Sequence, residues 1–316
     1  MAQCGYAIII AQKEDAHALS VCREIEQLGT AIPLIIDAED FPSKWQITLD
    51  IDDAGASAFT INVDDVEISD SQVTGAWYRR SFAHRVPNTS VEVHDFCRAE
   101  ATTLFQSWTH ALGARLINPR LHQISASHKP LQLLAALSVG LRVPATSMTN
   151  CSESVRRLKS RTNQMVYKAF SPIQLPMLID TRVYSEELDE VLGKLRYAPV
   201  IFQERVEKRS ELRVTIVDEQ VFSAQVEPQH QEAELDWRID LSADVRHHEL
   251  PDEIRTKLFR LMRSLGLRYG AIDMAVTDQD EYVFFEVNPS GQFLFVEIQA
   301  EMPISNAVAK ALCGCR

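Results

Sequence analysis

Glycine is scarce in this sequence: there are 11 in 316 residues, about half the share of roughly 7% usual in globular proteins. They are scattered, so neither G-x-G-x-x-G nor G-x-x-x-x-G-K-[ST] occurs. That removes the Rossmann dinucleotide fingerprint and the Walker phosphate loop. Lysines, carboxylates and metal are left as the means of holding a nucleotide phosphate. Positive charge is also in short supply. Against 44 acidic residues stand 32 basic ones, a formal net charge of −12, which excludes a generally basic, nucleic-acid-coating surface. The cysteines, at positions 4, 22, 97, 151, 313 and 315, form no C-x-x-C pair, so reduced structural or incidental thiols are expected rather than a zinc site or disulfides. The N-terminal apolar run is too short to span a bilayer and has no basic flank. A cytoplasmic protein with no membrane partner is therefore expected.

What the chain does have is apolar residues, 46% of the total, enough at this length for two or three cores. Residues 6–10, a helix pattern closed by Gly29, and residues 32–36 predict a strand, a helix and a second strand of a parallel sheet. Extended stretches at 61–68 and 75–78 and a long helix at 91–112 complete an α/β lobe over residues 1–120. A central lobe over 121–200 opens with a helix from Ser127-His-Lys129 and holds a strand at 165–170. Residues 201–316 carry most of the strand patterning and form an antiparallel-sheet lobe with helices at 251–265 and 304–312. The fold class is α/β with α+β character.

Three patterns carry chemistry. The first is Ala271-Ile-Asp273-Met-Ala-Val, a polar connection, and Tyr282-Val-Phe-Phe-Glu286-Val-Asn288-Pro, which reads as a hairpin. With the turn centred between Gln279 and Asp280, position i faces 559 − i, so Asp273 lies across from Glu286 and Asn288 points to the same side. Carboxylates on apolar strands need compensation. Magnesium held by Asp273, Glu286 and Asn288 supplies it, and pairing with basic residues or a solvated face is the alternative. The second pattern is two lysines: Lys129 at a helix start and Lys168 inside an apolar strand, placed for a phosphate or, for Lys168, for a strand edge from which it snorkels to water. The third is Phe202-Gln203-Glu204-Arg-Val206, a charged connection, and Glu211-Leu-Arg213-Val-Thr. A segment of this kind offers backbone groups to an adenine edge and an acid to ribose hydroxyls, or is simply a loop.

In order and spacing these pieces resemble the ATP-grasp superfamily, and within it the graspetide (microviridin-type) peptide ligases, which are similar to the glutamate ligases that modify ribosomal protein. Trp77-Tyr-Arg79-Arg80, Lys129-Pro-Leu-Gln, Gly140-Leu-Arg-Val-Pro-Ala-Thr, Tyr167-Lys168, Asp236-Trp-Arg238 and Phe285-Glu-Val-Asn-Pro-Ser-Gly-Gln-Phe293 join the motifs above in carrying the resemblance. It implies an ATP-grasp fold with a pre-ATP-grasp lobe, ATP and Mg2+ as cofactors, and Lys129 and Lys168 on the phosphates. Gln203, Glu204, Val206 and Glu211 would serve the nucleotide, and Asp273, Glu286 and Asn288 the metal. Arg213 and Arg238 would face the reacting phosphate and acyl group. Asp236 would either orient Arg238 or act as base, and Arg79 and Arg80 would meet substrate carboxylates or bridge lobes. Many members carry a glycine-rich flap after the second lysine. Residues 171–184 here contain none, and this stretch with the helix pattern at 186–195 is assigned to peptide recognition.

The activity implied is ligation through an acyl phosphate. A side-chain carboxylate of a ribosomal precursor peptide, with leader and acidic core, is phosphorylated by ATP, and a Ser/Thr hydroxyl or Lys amine of the same peptide closes an ω-ester or ω-amide ring. Addition of a free amino acid to an acceptor is the alternative within enzymes. A non-catalytic nucleotide-dependent binding protein is the alternative outside them. A homodimer is implied by resemblance alone.

Overall fold

A computed structural model describes residues 5–55, 57–80, 82–87, 90–170, 181–227, 230 and 242–314. The first lobe holds β1 (Gly5–Ile10), α1 (Ala16–Leu28), β2 (Ala31–Ile36), β3 (Gln46–Ile51), β4 (Ser57–Val63), β5 (Val66–Ser69), β6 (Val73–Tyr78), α2 (Val91–Ala111) and β7 (Leu116–Ile117). A parallel sheet of order β2-β1-β6-β7 forms its centre. Both faces of β1 are buried, Ile8 and Ile10 against α2 and its aromatic neighbours, Ala7 and Ile9 against α1. That is why the strand reads as an unbroken apolar run rather than an alternating one. The extended stretch at 61–68 is in fact two strands, β4 and β5. Asp64 and Asp65 both take positive φ, 49° and 63°, and so make a two-residue hairpin turn without the glycine that usually announces one.

The chain continues through α3 (Arg120–Ala126), α4 (Lys129–Ser138), β8 (Thr146–Thr149), α5 (Ser152–Lys159), β9 (Met165–Lys168), β10 (Arg182–Val183) and β11 (Val200–Glu204). The central sheet runs β10-β9-β11-β8, so β11, which begins where the sequence divides the lobes, is hydrogen-bonded into it. Then come β12 (Ser210–Val217), β13 (Gln220–Glu227), β14 (Asp244–His247), α6 (Asp252–Ser264), β15 (Tyr269–Val276), β16 (Tyr282–Asn288), α7 (Leu294–Gln299) and α8 (Ile304–Cys313). An antiparallel sheet of order β14-β13-β12-β15-β16 results.

Lobes and sequence segments do not coincide. Helices α3 and α4 give Ala126, Leu133 and Ala136 to the core behind the C-terminal sheet, with Leu212, Val214, Ile272 and Met274. Helix α8 returns to the first lobe, where Val308 and Leu312 share a core with Ala7, Ile9, Val21 and Ile25. Gly75 permits this approach, since a Cβ there would lie 2.4 Å from the Leu312 carbonyl oxygen. Because that neighbour is backbone, Gly75→Ala is expected to destabilise the protein by about 1–3 kcal/mol, the usual overpacking cost. Urea denaturation measures it, and an unchanged midpoint would contradict the packing described.

Candidate active site

The C-terminal sheet sorts its residues by face. Leu212, Val214, Ile272, Met274, Phe284 and Val287 point into the core behind it. Glu211, Arg213, Asp273, Glu286 and Asn288 share the opposite face, because Arg213 pairs with Asp273, Glu211 with Ala275, Asp273 with Glu286 and Ala271 with Asn288. The Asp273–Glu286 partnership is the one that the sequence predicts, but it arises differently. Strand pairs from Met274–Phe284 to Val276–Tyr282 follow a turn centred on Gln279, and a bulge between Asp273 and Met274 then shifts the register. Phe285 is the extra residue. Without it Asp273 would face Phe285, and Glu286 would turn toward the core.

Arg213 donates from Nη1 to Asp273 Oδ1 at 2.7 Å and from Nη2 to the Gln292 carbonyl at 2.9 Å. Lys129, the first residue of α4, reaches round the edge strand β16, and its Nζ lies 3.0 Å from Glu286 Oε2. The Asn288 amide donates to Asp273 Oδ2 at 3.3 Å and to Glu286 Oε1 at 3.4 Å. Both carboxylates are buried, and an unpaired charge there would cost on the order of several kcal/mol. Pairing with basic residues, the alternative to metal binding, is therefore realised. It does not compete with the metal reading, because the cations that compensate two clustered carboxylates are what a divalent ion replaces. The donor set suits magnesium: two carboxylates and an amide whose oxygen turns inward on rotation, all hard oxygen ligands. Among the described residues no group of three or more His, Cys, Asp or Glu side chains is placed to hold a metal.

The nucleotide candidates lie on the central sheet, on the connection between β11 and β12, and at the start of β12. Gln203 on β11 is buried and donates to Thr146 Oγ1 at 2.9 Å. Glu204 exchanges two bonds with Ala145, its N–H donating to the carbonyl at 2.8 Å and its carboxylate accepting the Ala145 N–H at 3.1 Å. Val206 is half-buried in the connection between β11 and β12. Lys168 stands at the end of β9, half-buried, and Glu211 at the start of β12 pairs with Lys208. Asp236 and Arg238 lie outside the described residues, as do residues 171–180 of the flap stretch.

Arg79 joins the first lobe to the loop after β16. It is 2% exposed, its Nη1 donates to the Ser290 carbonyl at 2.6 Å, and burial lowers its pKa. Arg80 is exposed, with its guanidinium 5.3 Å from the Phe82 ring centre. The same junction contains residues that the sequence reading did not single out. Asn118, at φ +57°, donates to the Tyr269 and Pro289 carbonyls at 2.7 and 2.8 Å and accepts the N–H groups of Arg268 and Tyr269 at 2.8 and 3.0 Å. His17 Nε2 accepts the N–H groups of Phe293 and Leu294 at 3.2 and 3.4 Å. Gly291 tucks under the arginine, where a Cβ would stand 2.4 Å from Ala271 Cβ and 2.9 Å from Arg213 Nη2. Together these contacts fix the loop whose Gln292 carbonyl holds Arg213.

Known proteins share this fold. The family profile of the MvdD pre-ATP-grasp domain matches residues 7–124. The macrocyclase MdnC from Microcystis aeruginosa MRC, solved bound with the precursor peptide MdnA, is 28% identical, with 98% of this chain and 99% of that one covered at a TM-score of 0.85. A RiPP-associated ATP-grasp ligase of Chryseobacterium gregarium, in complex with ADP and a leader and core peptide, is 25% identical, with 99% and 97% coverage and a TM-score of 0.91. Over its whole length the chain has the fold of these RiPP-associated ATP-grasp ligases. The ligase PsnB, complexed with a phosphomimetic variant of minimal precursor, Mg and ADP, shares the fold at 23% identity, 99% coverage of both chains and a TM-score of 0.79. No curated protein is detectably similar to the chain. Among the described residues no helix is long and apolar enough to cross a membrane.

His17 gives the junction a pH dependence. Burial first, then the Arg79 cation, lowers its pKa from the ordinary 6.5 to about 4, against the opposing pull of Asp15. Between those values the unfolded chain binds the proton and the folded one does not. The stabilisation is complete above about 6.5 and is lost as pH falls toward about 4. His17→Gln keeps an acceptor but no titratable ring, so its melting temperature should fall less than the parent's over that window. Parallel melting curves would contradict the assignment.

Proposed function

We propose that this protein uses ATP to phosphorylate side-chain Asp or Glu carboxylates of a ribosomal precursor peptide and closes ω-ester or ω-amide macrocycles with Ser/Thr or Lys. The single observation that carries the reading is the convergence of Asp273, Glu286, Asn288, Arg213 and Lys129 on one sheet face. It occurs in a fold whose solved neighbours hold precursor peptides, ADP and Mg.

Asp273, Glu286 and the Asn288 amide oxygen hold Mg2+, which supplies charge neutralisation on the phosphates. Lys129 exchanges Glu286 for a phosphate oxygen once the carboxylates are otherwise compensated, and Lys168 meets the phosphates from the central sheet. Gln203, Glu204 and Val206 line the adenine and ribose pocket, and Glu211 borders it. A peptide carboxylate oxygen attacks the γ-phosphorus, the bond to the bridging oxygen breaks, and ADP leaves. A peptide hydroxyl or amine then attacks the acyl carbon, loses its proton, and expels phosphate. No protein nucleophile is needed, because positioning and electrostatics do the work in phosphoryl transfer. Arg213, its fork anchored on Asp273 and Gln292, stabilises the acyl phosphate oxygens. The overall charge of −12 repels an acidic core, so local cations such as Arg80 and Arg213 and the leader draw it in.

The test is incubation of the protein with ATP, Mg2+ and a candidate precursor peptide, followed by mass spectrometry. Macrocyclisation loses one water per ring, whereas addition of an amino acid gains a residue. Arg213→Ala should lower turnover by about 10²- to 10³-fold, as for removal of one preorganised donor, while ADP still binds. Parental turnover in that variant would remove Arg213 from the mechanism.

A further inference from the structure

Among the described residues strand β16 is the outer strand of its sheet, and its outer row of backbone groups meets no further strand, only an isolated bridge from Arg142 to Val283. At Val287 that gap is filled by a side chain. Gln132, on α4 and 3% exposed, accepts the Val287 N–H at 3.0 Å and donates to the Val287 carbonyl at 2.8 Å, with a further bond to the Ala126 carbonyl at 2.6 Å. A carboxamide offers the same donor and acceptor as a peptide unit, so Gln132 acts as a one-residue strand.

Its place in the sequence matters more than its satisfaction. The Val287 N–H belongs to the peptide plane that begins at Glu286, and the Val287 carbonyl to the plane that ends at Asn288. Those two planes set the directions in which Glu286 and Asn288 leave the backbone. The bulge at Phe285 interrupts the inner ladder immediately before them. The outer edge compensates on both sides of the bulge, through the Arg142 carbonyl accepting the Phe284 N–H at 2.8 Å before it and Gln132 after it. Lys129 and Gln132 lie three residues apart on α4, hence on one side of the helix. The docking that engages Val287 therefore also delivers Lys129 to Glu286.

We propose that Gln132 is a positioning residue of the metal site, aligning Glu286 and Asn288 through the backbone of Val287. The proposal rests on the metal reading of Asp273, Glu286 and Asn288. A buried glutamine that merely satisfies polar groups would affect stability alone, so the test separates stability from affinity. Mn2+, standing in for Mg2+, is titrated into the full-length protein with ADP and followed by electron paramagnetic resonance, beside thermal melting. Gln132→Met keeps the volume and loses all three bonds, and Leu133→Ala, which empties the adjacent core position, is the control for stability. Gln132→Met should weaken Mn2+ binding within the roughly 10- to 100-fold range seen when an outer partner of a metal ligand is lost. Leu133→Ala should lower the melting temperature with Mn2+ affinity kept. Should Gln132→Met not fold, Gln132→Asn, too short to span both groups, carries the same expectation. Parental affinity in the folded Gln132 variant, or equal weakening by Leu133→Ala, would overturn the proposal. Glu286→Gln tells the two readings apart: if it binds Mn2+ as the parent does, the metal reading itself fails, whereas its loss beside an unaffected Gln132 variant sinks only the positioning role.

Discussion

One extra residue in one strand decides where the charge of the C-terminal sheet goes. A strand that alternates strictly cannot place both Phe284 and Val287 in a core, since they are three apart, yet both lie behind the sheet. The bulge at Phe285 resolves this and leaves Glu286 facing Asp273. Every polar contact of the site follows from that choice: Arg213 reaches Asp273 along the same row, Asn288 bridges the two carboxylates, and Lys129 closes over the edge. Bulges of this kind re-aim side chains at functional sites. Here the re-aimed group is a carboxylate that would otherwise enter an apolar interior.

The site is held from several directions at once. Residues 289–293 form a short loop on which the first lobe places Arg79, Asn118 and His17, while the sheet beneath supplies Tyr269, whose hydroxyl donates to the Gly291 carbonyl at 2.6 Å. Burial drives the Tyr269 pKa up to about 12, so this donor stays protonated. Each arginine is thus shared between a carboxylate and a backbone carbonyl of this loop, Arg79 between Asp15 and Ser290 and Arg213 between Asp273 and Gln292.

Much of this was legible in the sequence, for identifiable reasons. Both strands of the β15–β16 hairpin are long and strongly apolar, so their carboxylates stand out and counting back from the turn pairs them. The count reached the right partner although the turn sits half a position away, because the bulge makes up the difference. The Asp64-Asp65 turn was hidden, since no glycine marks it and two short strands read as one. Contacts such as Lys129 with Glu286 join residues 157 positions apart, and only the docking of α4 against β16 brings them together. The same holds for His17 and Asn118, whose polar side chains look like ordinary loop and helix-start residues until their distant backbone partners are known. Arg79 follows an apolar strand and so looks aimed at a cleft. Its burial depends on the Ser290 carbonyl, which no local pattern reveals.

The return of α8 to the first lobe bears on how the chain reaches this structure during synthesis. Strand β1 and helix α1 emerge from the ribosome well before α8, but one side of their core is finished by Val308 and Leu312. The first lobe therefore carries an open apolar face until α8 has been made. Contacts of such long sequence separation slow folding and leave intermediates prone to association. The first lobe thus completes its core late, and Phe293, at the end of the loop that holds Arg213, lies in that same core.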